Sequence, residues 1–225
     1  MKRATRCLKR LSQKDFEGAK MFYGFIVTLA WIVWHIAFRI KVIGKENLIK
    51  DRGFVLAPNH LSAIDPVCVV CARFWGKRML ILGKEEIMEV NPIFTWMFKH
   101  AGVVGVQRGK GDTAVVDKAI DACKNGQGLL IFPEGTRSKD GNLGRLKSGA
   151  FVVASAANVD MIPCRIIYKG GKMKGFGRCT IVFGKPIPAE KLALGEQRSA
   201  AKLREAKELL RVELERLLEE NRQYL

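Results

Sequence analysis

Between about residues 40 and 190, short apolar runs alternate with amphipathic stretches. Apolar runs of this length, bounded by glycine and proline, are typical of strands, and the longer stretches have helical spacing. The pattern predicts strands at 40–44, 53–57, 78–82, 103–107, 128–132, 161–167 and 179–183. It predicts helices at 66–75, 92–100, 112–124 and 147–157. This alternation indicates an α/β domain over residues 40–190.

Residues 191–225 have an amphipathic pattern. Within 197–222, one helical side carries Leu203, Ala206, Leu210, Leu214, Leu217 and Leu218. Charged residues occupy the remainder, as expected of a surface helix with one buried stripe. The pattern predicts a helix packed on the edge of the domain, with a short coiled-coil arm as the alternative.

The first 39 residues combine positive charge with a long apolar segment, MFYGFIVTLAWIVWHIAF at 21–38. As a helix this segment would be roughly 27 Å long, just short of the roughly 30 Å hydrocarbon core of a bilayer. Basic residues flank it on both sides, whereas a spanning helix is oriented by their asymmetry. We expect residues 1–39 to lie in the cytoplasmic face of the cell membrane, on anionic phospholipids. A spanning helix and a buried core helix are the alternatives.

The net charge of +17 and the isoelectric point near 9.9 narrow the choice of partners. Such an excess attracts nucleic acid, anionic membranes or phosphorylated substrates. The sequence has no zinc-finger spacing and no aromatic ribonucleoprotein motif, and its basic residues concentrate beside the apolar segment. We therefore expect lipid headgroups and no nucleic acid.

Six cysteines are present, and Cys68 and Cys71 form a CxxC without a second such pair. A structural zinc site needs four ligands, which this spacing does not supply. We expect small buried thiols in a reducing cytosol and no metal.

The stretch PNHLSAIDP follows a predicted strand and contains one of three histidines. Positions five apart diverge by roughly 140° on a regular helix, so His60 and Asp65 meet only if the chain curls before the next helix. In that arrangement Asp65 caps the helix and orients the imidazole as a general base. A histidine that merely ends a strand is one alternative. A triad with Ser62 is another, but no GxSxG elbow is present, so we expect Ser62 to cap the turn.

A second polar loop, FPEGTRS, also follows a predicted strand. Loops at the carboxyl ends of strands can meet at one edge of an open α/β sheet, where ligands bind. Arg137 offers a planar fork for phosphate, Gly135 permits close backbone approach, and Glu134 can accept from a hydroxyl or hold an arginine. A surface ion pair between Glu134 and Arg137 is the alternative. Arg108, after another predicted strand, would add a second positive group.

NHLSAIDP and FPEGTRS, in this order and at this separation, resemble two motifs of the glycerolipid acyltransferase family. The resemblance is nearest to bacterial 1-acyl-sn-glycerol-3-phosphate acyltransferases and covers roughly residues 40–190. Gly102–Arg108 is similar to the family's second motif and Met161–Cys164 to its fourth. The family implies one α/β domain with a central mixed sheet flanked by helices, and a hydrophobic N-terminal membrane helix.

The resemblance also implies an activity. An acyl group would pass from acyl-CoA or acyl-carrier protein to the free hydroxyl of 1-acyl-sn-glycerol-3-phosphate (lysophosphatidate), giving phosphatidic acid. His60 would be the base and Asp65 would orient it, without metal, cofactor or covalent acyl-enzyme. The acceptor would be bound by Arg108, Glu134, Gly135, Thr136 and Arg137.

Two positions depart from the family pattern. Gln107 stands where an acidic residue is common, and Leu61 stands where glutamine is usual. Neither change removes a proton-transfer group, so both bear on the choice of acceptor. Glycerol-3-phosphate, another lysophospholipid, and a non-catalytic basic membrane-binding module are the alternatives.

Overall fold

The computed structural model describes residues 39–73, 79–84, 103–106, 113–174, 177–195 and 199–225, with 24, 25, 28, 29 and 32 near the N-terminus. The described residues form seven strands: β1 (Arg39–Ile43), β2 (Phe54–Pro58), β3 (Leu80–Lys84), β4 (Val103–Val106), β5 (Gly128–Leu130), β6 (Met161–Tyr168) and β7 (Arg178–Phe183). Their α-helices are α1 (Asp65–Ala72), α2 (Thr113–Lys124), α3 (Gly149–Ala157), α4 (Ala189–Leu192) and α5 (Ala200–Glu220). Short 3₁₀ turns lie at Lys45–Asn47 and Arg222–Tyr224.

These strands form one mixed sheet in the order β1-β7-β6-β2-β5-β3-β4. Neighbouring strands in it are parallel, except for the antiparallel pair of β6 and β7. β2 lies between β5 and β6, with Leu56 in register with Leu130 on one side and Ile162 on the other. Because β2, β5 and β6 run in the same direction, their carboxyl ends share one edge of the sheet.

The structure confirms the α/β class, the mixed sheet and the seven predicted strands, with strand ends displaced by no more than two residues. β5 ends at Leu130, earlier than predicted, because the chain turns at Phe132, whose carbonyl accepts from the Gly135 amide at 3.0 Å. The helix predicted at 92–100 lies outside the described residues.

Both faces of the sheet are buried, and successive side chains of a strand enter different cores. On β2, Val55 and Ala57 pack with α2, α3 and α5, whereas Phe54 and Leu56 pack with α1. A strand that is covered on both faces is apolar at consecutive positions. This explains why the strands were visible in the sequence as continuous apolar runs.

Five cysteines lie among the described residues, and all are buried free thiols; Cys7 lies outside these residues. Burial raises the pKa of Cys71 and Cys123 to about 12. Thiols with such pKa values stay protonated near neutral pH, so these side chains act as small apolar residues of the core.

The C-terminal helix α5 packs on the sheet, as the edge-helix interpretation predicted. Ala206, Leu210 and Leu214 are fully buried in the core that they share with β2 and α3. Because the chain's own sheet covers this apolar side, it cannot be the seam of a coiled-coil arm.

The predicted membrane segment, 21–38, lies outside the described residues except for positions 24, 25, 28, 29 and 32. Of these, Phe25, Leu29 and Ile32 are exposed. No helix within the described ranges combines the length and the apolar character needed to cross a bilayer.

Truncating a buried leucine of α5 should destabilise the whole domain. We expect Leu214→Ala to lower the free energy of unfolding by about 2–5 kcal/mol, since it leaves a cavity between α5 and the sheet. Urea titration followed by circular dichroism would measure the change. Val212→Ala is the matched control, because Val212 lies on the same helix and is 51% exposed. Equal losses in the two variants would contradict the described packing of α5.

Candidate active site

The first polar loop begins directly after β2 and is fixed to β6. Asn59 is buried, its Oδ1 accepts from the Ile166 amide at 2.6 Å, and its Nδ2 donates to the Ile166 carbonyl at 3.2 Å. The Asn59 side chain thus pairs with β6 as a strand backbone would. His60, the next residue, is thereby held at the carboxyl edge of the sheet.

The carboxylate of Asp65 organises the rest of this loop. Its Oδ2 accepts from His60 Nδ1 at 2.8 Å and from the backbone amides of Leu61 and Ser62 at 2.6 and 2.8 Å. Asp65 is fully buried, whereas the His60 side chain is 15% exposed. A carboxylate only accepts hydrogen bonds, so Nδ1 is the donor; in the neutral form of the imidazole, Nε2 then carries the lone pair.

The expected role of Asp65 as a helix cap is wrong. Helix α1 begins at Asp65 itself, and Ile64 is the N-cap residue. The carboxylate turns back to the loop because the Leu61 and Ser62 amides and the imidazole offer it several donors at once. Ser62 does stabilise the turn, since its Oγ accepts from the Ile64 amide at 3.5 Å.

Tyr168, at the end of β6, completes the surroundings of Asp65 and was missed in the sequence. Its hydroxyl donates to Asp65 Oδ1 at 2.7 Å. Burial, followed by the negative charge of Asp65, raises the pKa of Tyr168 well above its ordinary value, so the hydroxyl stays protonated. In a sequence, a tyrosine at the end of an apolar strand does not indicate a hydrogen bond to Asp65, because the pattern does not show which residue the tyrosine faces.

The second loop is joined to the first through its buried glutamate. Glu134 is 4% exposed; its Oε1 accepts from the His60 amide and its Oε2 from the Gly144 amide, both at 2.8 Å. The Ser138 amide donates to the His60 carbonyl at 2.8 Å. The two motifs therefore meet, as predicted. The alternative of a surface ion pair for Glu134 is wrong, because this carboxylate is buried and engaged by the backbone.

The remaining predicted binding residues lie along the same loop. Gly135 has a φ of 66°, which favours glycine, and a Cβ there would be 2.9 Å from Lys147 Nζ, so a lysine lies against the loop. Thr136 and Arg137 are exposed. Arg108 lies outside the described residues. Lys147 was missed because only the return of the chain after Gly144 brings it to this place.

Arg165 on β6 is a buried cation that no motif indicated. It is 3% exposed, and its Nε and Nη1 have no hydrogen-bond partner within the described part of the chain. Burial lowers the pKa of Arg165, and the negative charges of Glu134 and Glu215 oppose that shift. Because a guanidinium keeps its proton in proteins, Arg165 remains a buried positive charge that attracts the Glu134 carboxylate.

The Nε2 atom of the imidazole is open for chemistry. Its ring packs against Phe132, with centroids 4.2 Å apart. No described residue hydrogen-bonds to Nε2. A histidine oriented by a carboxylate at Nδ1 and open at Nε2 can accept a proton from a hydroxyl.

Comparison with known proteins places the chain in a family. The family model described as Acyltransferase matches residues 39–167, more than half of the chain. The matched residues contain strands β1 to β5 and the His60–Asp65 pair. The chain belongs to the acyltransferase family.

Individual relatives agree with this assignment. The chain is 30% identical over 201 residues to the chloroplastic 1-acyl-sn-glycerol-3-phosphate acyltransferase LPAT1 of Arabidopsis thaliana, which covers 84% of this chain and 55% of the relative. It is 26% identical over 174 residues to the Bacillus subtilis 1-acyl-sn-glycerol-3-phosphate acyltransferase, covering 73% of this chain and 82% of the relative. The chain spans about half the length of the plant and algal relatives that it matches.

A solved structure shares the fold. The 1-acyl-sn-glycerophosphate acyltransferase PlsC from Thermotoga maritima superimposes with a TM-score of 0.63 at 23% identity, over 88% of this chain and 79% of that one.

Removing the hydroxyl of Tyr168 tests the surroundings of Asp65. We expect Tyr168→Phe to lower the free energy of unfolding by about 1–3 kcal/mol, because Oδ1 of a buried carboxylate loses its donor. Chemical denaturation would measure the loss. Tyr224→Phe removes a hydroxyl that is bonded to Lys41 at the exposed surface and should cost far less. A Tyr168→Phe protein as stable as the wild type would refute this assignment.

Proposed function

We propose that the protein transfers an acyl group from a thioester to the free hydroxyl of 1-acyl-sn-glycerol-3-phosphate, producing phosphatidic acid. The observation that carries the proposal is the His60–Asp65 pair, in which Nδ1 is bonded to the carboxylate and Nε2 has no hydrogen-bond partner among the described residues. Relatives named for this reaction support the choice of acceptor.

In the proposed reaction, Nε2 of His60 takes the proton of the acceptor hydroxyl as its oxygen attacks the thioester carbon. The new C–O ester bond forms, the C–S bond breaks, and the departing thiolate takes the proton back from the imidazolium. The Asp65 carboxylate holds the imidazole in the required tautomer and stabilises its positive charge. The mechanism requires neither a metal nor a covalent acyl-enzyme.

The nearby serine does not support a nucleophilic mechanism. Ser62 is 8% exposed, and its Oγ accepts from the Ile64 amide. His60 Nδ1 is bonded to Asp65, so a triad would require Ser62 Oγ at Nε2. Direct attack by the acceptor hydroxyl is therefore the simpler mechanism.

The acceptor phosphate is assigned to the second loop. Arg137 is exposed and forms no ion pair with a described residue, so its guanidinium is free to take a phosphate in two parallel hydrogen bonds. Glu134 acts as a positioning residue, because both of its oxygens are engaged by backbone amides. Arg108 is assigned to the same phosphate through the family resemblance alone. The acyl donor is acyl-CoA or acyl-carrier protein.

We place the protein at the cytoplasmic face of the cell membrane, on anionic phospholipid. The acceptor is itself a membrane lipid, and the net charge of +17 favours an anionic surface. The exposed Phe25, Leu29 and Ile32 recur at helical spacing and offer an apolar side to such a surface.

The proposed base is tested by His60→Ala in the purified protein. We expect kcat for acyl transfer to lysophosphatidate to fall by a factor on the order of 10²–10⁴, the usual contribution of general-base catalysis. Ser62→Ala, in the same loop, should retain most of the activity. Full activity in His60→Ala would remove the base from the mechanism, and inactivity of a folded Ser62→Ala would reinstate the triad. A panel with glycerol-3-phosphate and other lysophospholipids would test the acceptor.

The membrane assignment predicts salt-dependent binding to lipid. In co-sedimentation, the full chain should bind anionic vesicles at low salt, release partly at high salt, and bind zwitterionic vesicles weakly. Duplex DNA at the same charge concentration is the control. Preferential binding to DNA, or binding that ignores lipid charge, would contradict the assignment.

A further inference from the structure

A cavity of about 480 Å³ lies between the second polar loop and helix α5. Its cationic walls are Arg145 and Lys147 from the loop and Lys207 from α5, and Thr136 also lines it. We call this cavity the cationic pocket. Lys207 lies outside residues 39–167, the part of the chain that the family model matches.

Among the described residues, no ion pair neutralises the cations of this pocket. Arg145, Lys147 and Lys207 form no ion pair with any described residue. The carboxylate that lines the pocket, Glu134, already accepts from two backbone amides and faces the charge of Arg165. Three cations that surround a concave space without partners create a positive potential that attracts an anion.

The backbone that carries the loop side of the pocket is held in place by contacts with α5 and with the rest of the loop. Arg211 of α5 donates from Nη2 to the Gly144 carbonyl at 2.9 Å. The Lys147 amide donates to the Pro133 carbonyl at 2.8 Å, and Leu146 is buried in the core beside α5. A rigid arrangement of this kind lowers the entropy cost of binding.

The cationic pocket and the imidazole lie on different sides of the second loop. Leu146 and the leucines of α5 belong to the core on one face of the sheet. His60 packs on Phe132, which contacts the core on the other face. Glu134 lines the pocket and binds the His60 amide, so the second loop stands between the pocket and the imidazole. A ligand with its phosphate in the pocket and its reacting atom at Nε2 has to extend around this loop.

The separation between the phosphate and the reacting atom differs between the two substrates, lysophosphatidate and acyl-CoA. In lysophosphatidate only a few bonds lie between the phosphate and the free hydroxyl. In acyl-CoA the whole pantetheine arm lies between the phosphates of the nucleotide and the thioester. The pocket volume also falls within the range typical of small-ligand sites.

We propose that the cationic pocket binds the nucleotide phosphates of acyl-CoA, with Lys207 contributing to the choice of donor. The role of the cationic pocket in binding the acyl donor rests on the proposed acyl transfer. Phosphate binding itself does not, because it can be measured without turnover.

The test uses desulfo-CoA, which cannot form a thioester, and isothermal titration calorimetry on the full chain. We expect Lys207→Gln and Arg145→Gln each to weaken binding about tenfold, the loss of one charge-assisted hydrogen bond. Lys207→Arg should retain most of the affinity. Lys202→Gln is the matched control, since Lys202 is exposed on the same helix outside the pocket. In steady-state kinetics, Lys207→Gln should raise KM for acyl-CoA and leave KM for lysophosphatidate unchanged.

Several results would overturn the proposal: wild-type protein that does not bind desulfo-CoA, unchanged affinity in both Gln variants, or an equal loss in Lys202→Gln. A rise in KM confined to lysophosphatidate would assign the pocket to the acceptor phosphate instead. If the wild-type protein binds desulfo-CoA through Lys207 but transfers no acyl group, the proposed function fails and the pocket assignment stands. Thermal unfolding of each variant identifies any loss that is due to misfolding.

Discussion

Both oxygens of the Glu134 carboxylate accept hydrogen bonds from backbone amides that lie far apart in the sequence, those of His60 and Gly144. A buried carboxylate is stable only when donors replace the water that it has lost. Here those donors belong to the loop that carries the candidate base and to the loop that carries the proposed phosphate-binding residues. The Gly144 backbone can come this close because glycine has no side chain. A Cβ at this position would lie only 2.8 Å from Oε2. The relative position of the two loops therefore depends on this side chain, together with the hydrogen bond from the Ser138 amide to the His60 carbonyl.

The sheet supplies the remaining constraints. β2 and β5 are parallel neighbours, so the loops that follow them leave the same edge. β6, on the other side of β2, holds Asn59 through Ile166 and Asp65 through Tyr168. The second loop thus holds the backbone of His60 through Glu134. The Asp65 carboxylate, which also accepts from Tyr168 of β6, holds the imidazole at Nδ1. Pre-organisation of this kind would place the candidate base for the proposed proton transfer without reorganisation.

Much of this arrangement could be predicted from the sequence, because it depends on local pattern. Strands that are buried on both faces are continuous apolar runs, and the polar loops that end them are visible as HLSAID and FPEGTR. The meeting of these loops followed from the edge geometry of an α/β sheet. What the sequence could not reveal depends on register and on the return of the chain. Tyr168 reaches Asp65 only through the pairing of β6 with β2, and Lys147 reaches Gly135 only because the chain folds back after Gly144. The expected cap at Asp65 failed because loop amides compete for the same oxygen.

The most direct test of the central claim is the turnover of Glu134→Gln, which keeps the side-chain shape but replaces one accepting oxygen with an amide group that donates. The account predicts a folded protein whose kcat for acyl transfer falls by a factor on the order of 10², because one loop amide loses its acceptor and His60 shifts. Thermal unfolding would show that the variant is folded, and Glu205→Gln, which changes an exposed carboxylate on α5, is the control. A folded Glu134→Gln protein with the kcat of the wild type would contradict the claim that this carboxylate sets the geometry of the site.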